Sequence, residues 1–324
     1  MSFALSTTEG EAREATRAQK GGITMQKIRL ALCGAAVLAI SFTATAQDPA
    51  QRPFGFGNPP PTAELQKLPQ TPGAKGDQER HYFFADAGRE MPYHLYVPSG
   101  YDAKVGAPLV VALHGYGGNQ DYFFAVMKGD LKALCDRYGY IFVAPMGYSV
   151  SGWYGAPMSV PGGPPPASGN QPARPLPPPQ TGTPEEQLRE RQLSEQDVLN
   201  VLDLVEKEYK IDPARIYLMG HSMGGFGAWY LGAKRADLWA AIAPMSGTTP
   251  SHEIDVETLA KVPVLVAVGG EEVPTVAASK AKVDLLRAAG GIAAYVEIDK
   301  GTHMSMIPPS VPQIFEFFSQ HAKR

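Results

Sequence analysis

The chain has 324 residues, 44% of them hydrophobic, and a formal net charge of −3. That length admits one large α/β domain with extensions, and the apolar share suffices for a sizeable core. A near-neutral balance without a long basic cluster gives no reason to expect nucleic acid or an anionic membrane surface as a partner.

The first part reads as processing and leader sequence. Residues 1–24 are polar, lack a core face, and are read as an extended, non-native start. From Met25 the pattern changes to Lys27 and Arg29, the apolar run from Leu30 to Phe42, and then Ala44-Thr45-Ala46. That is the order of a secretory signal peptide, so 25–46 is expected to be removed, with Gln47 as the first mature residue. The run is short for a membrane span and has no second behind it, so no membrane association is expected after cleavage. The product is expected to be secreted or periplasmic. Cleavage takes Cys33 away and leaves Cys135 alone, which permits no intrachain disulfide. Residues 47–79, rich in Pro, Gly and Gln, are expected to form a flexible leader.

The domain, 80–324, opens with strands at 81–85 and 92–97 joined by Asp86-Ala87-Gly88-Arg89. A continuous apolar run at 108–113 predicts a strand buried on both faces, ending in the loop His114-Gly115-Tyr116-Gly117-Gly118. A helix is predicted over 123–138, with Cys135 packed in it, and a strand over 140–144. Residues 146–184 form an insertion whose proline-rich part, 157–184, excludes regular structure. Trp153 and Tyr154 follow the strand end and either wall a substrate pocket or anchor the loop. A helix follows at 185–209, then a strand from Ile216, a turn, and a helix over 226–234. Strands at 240–245, 263–268 and 293–298, with helices at 276–289 and 311–321, complete the pattern. Alternating strands and helices imply a mostly parallel sheet covered on both faces, with the first antiparallel pair at its edge.

The turn carries the chemistry. Gly220-His221-Ser222-Met223-Gly224 is a G-x-S-x-G pattern between a strand and a helix. Ser222 is the candidate nucleophile, and Met223 N–H, at a helix N-terminus, a candidate oxyanion donor. Tyr116 N–H is the preferred second donor and Gly117 the next. The base must follow in chain order. His303, in a loop after the last strand, fits; His252 comes too early and His321 lies in the final helix. His114 and His221 read as structural supports. The orienting acid is expected after the strand 263–268, where Glu271 and Glu272 are adjacent. Glu272 is preferred, Glu271 is the alternative, and Asp299 a weaker third. No metal-ligand spacing or dinucleotide fingerprint is convincing, and hydrolysis by such a triad needs water alone, so no cofactor is implied.

With Leu113-His114-Gly115-Tyr116-Gly117-Gly118, Asp212 to Leu218, Gly220 to Tyr230 and Ala240 to Pro244 in view, the chain from about Tyr82 to His321 resembles a known group. It is similar to secreted bacterial α/β-hydrolases related to prolyl oligopeptidase-like predicted peptidases, feruloyl esterases and polyhydroxybutyrate depolymerases. The resemblance implies the α/β-hydrolase fold, Ser222 as nucleophile, His303 as base, and Met223 and Tyr116 as oxyanion donors. The group's acid is usually Asp in a Gly-x-x-Asp context, and Glu272 stands at that position. The expected activity is hydrolysis of a small-molecule or polymer-linked carboxylic ester, feruloyl, acetyl or polyester, through a Ser-His-Glu triad. The alternatives are a serine peptidase and a non-catalytic binding module.

Overall fold

Strands form where apolar residues run without a break, and in this chain those runs pair side by side. The computed structural model describes residues 57–157, 182–248 and 254–323. The predicted signal peptide and start, residues 47–56, and 158–181 of the proline-rich insertion lie outside the described residues.

Among the described residues eight strands make one sheet: β1 Gly76–Phe84, β2 Arg89–Val97, β3 Ala107–Leu113, β4 Ile141–Pro145, β5 Ile211–His221, β6 Ala241–Met245, β7 Val264–Gly269 and β8 Ala293–Ile298. Their spatial order is β1-β2-β4-β3-β5-β6-β7-β8. β1 pairs antiparallel with β2 and β2 with β4; every later pairing is parallel. The helices are α1 Thr62–Leu65, α2 Tyr122–Met127, α3 Gly129–Tyr138, α4 Pro184–Glu208, α5 Met223–Lys234, α6 Val256–Leu259, α7 Val273–Ala288 and α8 Ile307–Ser319. This is the α/β-hydrolase fold, as expected.

Strand periodicity sorts the apolar residues onto two cores. Leu109, Val111 and Leu113 of β3 pack on one face with Val198, Val201 and Val205 of α4 and Trp229 of α5. Val110 and Ala112 pack on the other with Phe123 of α2 and Phe315 and Phe318 of α8. Cys135 is buried in the second core, where burial pushes its thiol far up and leaves it un-ionised.

Three expectations are corrected. The stretch expected to be a flexible leader is folded from residue 57 to 79: Leu65 is fully buried, Gly73 N–H donates to Glu208 at 2.7 Å, and β1 begins at Gly76. The helix expected over 123–138 breaks between α2 and α3, where Lys128 takes φ 52° ahead of Gly129. The last helix begins four residues early, at Ile307, because Pro308 and Pro309 occupy its first turn, where no intrahelical N–H bond is lost.

Candidate active site

β5 ends at His221 and α5 starts at Met223, so one residue makes the whole turn. Ser222 takes φ 57° and ψ −113°, a left-handed conformation costly for a residue with a side chain. The end of β6 holds it there: Ser222 N–H donates to Met245 O at 2.8 Å. A Cβ on Gly220 would stand 2.1 Å from Gly224 O, and one on Gly224 would stand 2.0 Å from Leu113 O. Only glycine fits either place, which is why the pattern has glycines two residues on each side of the serine.

His303 lies in the loop between β8 and α8, and its Nδ1–H donates to Glu272 Oε2 at 2.6 Å. Glu272 is the residue before α7, in the loop leaving β7. Its other oxygen, Oε1, accepts from Ser246 Oγ at 2.6 Å and Gly269 N–H at 3.4 Å. Burial works to raise the Glu272 carboxyl; His303, then the Ser246 hydroxyl and the Gly269 N–H, outweigh it and hold the group below the usual glutamate range. It is therefore the ionised acceptor that an Nδ1–H requires. Glu271 is exposed and contributes its N–H to Gly301 O at 3.0 Å. Asp299 is exposed as well. His321 caps its own helix through Phe317 O at 2.7 Å, and His252 lies outside the described residues. Ser246 escaped the sequence reading; the signal was a serine directly after a buried strand, whose relation to Glu272 only the β6–β7 pairing reveals.

The loop after β3 lies beside the serine turn. His114 is buried, and its ring nitrogens lie 2.8 Å from Gly115 O and 2.7 Å from Met146 O, tying the loop to the end of β4. Burial lowers His114, against the two carbonyls, which raise it. Gly117 N–H donates to Val150 O at 2.9 Å, which removes it from the candidate donors and leaves Tyr116. Trp153 and Tyr154 sit in a 3₁₀ turn, Trp153–Gly155, at φ 57° and 53°. Tyr154 is fully buried, with its hydroxyl donating to His114 O at 3.1 Å and its N–H to Ser194 Oγ at 3.0 Å. It is the loop's anchor and has no surface to offer a substrate. Trp153 packs against Tyr116 and Phe226, with ring centroids 6.3 and 5.5 Å apart, and its buried Nε1 has no partner among the described residues.

Asp197 of α4 fixes where this insertion leaves the sheet. Its fully buried carboxyl accepts from Tyr82 Oη at 2.6 Å, Gly147 N–H at 2.7 Å and Tyr148 N–H at 3.1 Å. Burial, opposed by those donors, raises it to about 6. Because the folded-state value lies above the ordinary 3.8, the unfolded chain releases this proton first. Stability from this group is therefore full below pH about 4 and falls as pH rises to about 6, by roughly 3 kcal/mol at most. Asp197→Asn has no such slope. Urea unfolding at pH 4.5 and 7.5 should show wild type losing stability relative to Asp197→Asn at the higher pH, the other groups cancelling between the two proteins.

A family model described as "Putative esterase" matches residues 177–318, the part that carries Ser222, Glu272 and His303. A bifunctional acetylxylan esterase/xylanase, XynS20E, of Neocallimastix patriciarum is 29% identical over 162 residues, which is 50% of this chain and 18% of that one. "Putative esterase NocK" of Nocardia uniformis subsp. tsuyamanensis is 27% identical over 180 residues, 55% of this chain and 44% of the other. The chain thus spans well under two thirds of both relatives. Among solved structures, a thermostable esterase superposes with a TM-score of 0.54 at 24% identity, covering 76% of this chain and 63% of its own. These matches are esterases; the peptidase and polyhydroxybutyrate depolymerase sides of the resemblance have no counterpart among them. The chain has the α/β-hydrolase fold and is related to esterases built on it.

Proposed function

We propose that the protein is an exported serine hydrolase of carboxylic esters. Ser222 Oγ attacks the acyl carbon, and His303 Nε2 takes its proton. Glu272 keeps the proton on Nδ1 and balances the imidazolium that forms. The N–H groups of Met223 and Tyr116 hold the oxyanion. The alcohol leaves with the proton from His303, and water, activated by the same base, releases the acyl group from Ser222. What carries this reading is the His303–Glu272 bond, made across the ends of β7 and β8, beside a serine forced into a left-handed turn at the end of β5. Trp153, packed on the Tyr116 loop, is the residue proposed to border the substrate. Esters are preferred to peptides because the matching relatives are esterases. Export rests on the sequence pattern of 25–46.

One expression tests both parts. A bacterial host carrying the full chain should release a protein beginning at Gln47 that hydrolyses p-nitrophenyl acetate with kcat/KM of about 10⁴ M⁻¹ s⁻¹ or more. A peptidyl p-nitroanilide should be turned over at least about 100-fold more slowly, a ratio within reach of pocket discrimination. Faster cleavage of the anilide would establish a peptidase instead. Folded protein inert toward both would leave a binding module.

A further inference from the structure

The residue between Gly220 and the nucleophile is buried, and both its ring nitrogens are engaged. His221 Nε2 lies 2.7 Å from the main-chain oxygen of His303. A carbonyl only accepts, so Nε2 carries the hydrogen and donates it. In the neutral ring Nδ1 is then the acceptor, and it faces the hydroxyl of Tyr122 at 2.8 Å. Tyr122 lies at the start of α2, nearly parallel to the imidazole, with centroids 5.9 Å apart and planes 17° apart. The same hydroxyl is 3.4 Å from Met304 Sδ, next to His303. The His221 and His303 rings are 4.5 Å apart.

We infer that His221 and Tyr122 are positioning residues that lock the His303 loop to the serine turn. Were the His221 proton on Nδ1, the Nε2 lone pair would face the lone pairs of His303 O, and the contact would repel. The His303 carbonyl, which only accepts, therefore sets which nitrogen holds the loop, and the Tyr122 hydroxyl, able to donate or accept, braces the ring at Nδ1. Glu272 orients the His303 ring; His221 holds the backbone that carries it. Because His221 is bonded directly to Ser222, nucleophile and base are set by one rigid peptide step, and displacement of about 1 Å at such a pair costs about 10²-fold in rate.

This inference rests on the proposed hydrolase reading for its kinetic part alone. His221→Leu and His221→Gln, with Tyr122→Phe, are compared with wild type for kcat and KM on p-nitrophenyl acetate and for hydrogen exchange at amides 301–306. Gln can place an N–H near the Nε2 position, whereas Leu cannot. The expected result is a fall of about 10²-fold in kcat with little change in KM for Leu, and restoration to within about 10-fold by Gln. Tyr122→Phe should be intermediate. Exchange across 301–306 should quicken in Leu and stay near wild type in Gln. Equal kcat and equal exchange in Leu and Gln would overturn the inference, as would slowed turnover with exchange unchanged in both. Where wild type itself turns over no ester, the hydrolase reading fails and the exchange data alone decide the tether.

Discussion

Ser222→Ala is expected to remove ester hydrolysis by about 10⁴–10⁶ in kcat while leaving the fold and substrate binding intact. The side chain lost is one hydroxyl, and the turn that displays it is fixed by backbone contacts: Ser222 N–H to Met245 O and Phe226 N–H to Ser222 O at 3.1 Å. Alanine tolerates φ 57° no worse than serine does, so the melting temperature should move by little. Glu272→Gln is the companion variant. It leaves an amide where Nδ1 of His303 needs a carboxylate, and it deprives Ser246 of its charged acceptor. A loss of about 10²–10⁴ in kcat is expected, against a change within about 2-fold for the exposed Glu271→Gln. Steady-state kinetics on p-nitrophenyl acetate, with circular dichroism for the fold, decides it. Equal effects of the two glutamates would sink the assignment of Glu272, and full activity in Ser222→Ala would sink the mechanism.

The second large effect falls on folding. Gly224→Ala places a methyl 2.0 Å from the carbonyl oxygen of Leu113 and 2.9 Å from that of His114. Both obstacles are backbone, and Leu113 is hydrogen-bonded into the centre of the sheet beside Gly220. No rotamer change relieves the clash. Relief requires moving α5 off β3, which opens the core around Trp229, so a loss of about 3 kcal/mol or more is expected. Gly290→Ala is the control: nothing lies within 4 Å of its Cβ, and only φ +82° opposes the change. Its cost should be about 1 kcal/mol. Urea denaturation of both variants checks the ordering; a Gly224→Ala protein as stable as Gly290→Ala would show that α5 does not pack as closely as described.

The strands were legible because a strand covered on both faces needs an unbroken apolar run, and the runs from Pro108, Ala240 and Pro263 stand out against charged helices. The serine turn was legible for a related reason, since its glycines follow from sterics local to the motif. What lay beyond the sequence was what depends on neighbours distant in the chain. Glu271 and Glu272 are adjacent carboxylates at one strand end, and local geometry alone admits either; they differ in the fold because α7 begins immediately after Glu272 and leaves its side chain facing β6 and His303. Ser246 and the His221–His303 contact need the order of β5, β6, β7 and β8, which no periodicity encodes. Tyr154 was undecided between wall and anchor until its hydroxyl was found on His114 O. The early start of α8 was hidden by prolines, which read as breakers although the first helical turn accepts them.

The placement of α8 has a consequence for how the chain is made. The core beneath that face joins Tyr96, Val110, Phe142 and Tyr217, from four strands, to Phe315 and Phe318 from the last helix. Tyr217 and Phe318 stack with centroids 4.6 Å apart. These two phenylalanines follow all the strands in chain order, so a ribosome delivers them after the sheet. The part of this face that α2 and α3 do not cover therefore waits for α8, and deletion of α8 would leave that part without its seal. Closure of this face therefore comes after the strands are made, and the sheet stays open to an escort until α8 has emerged.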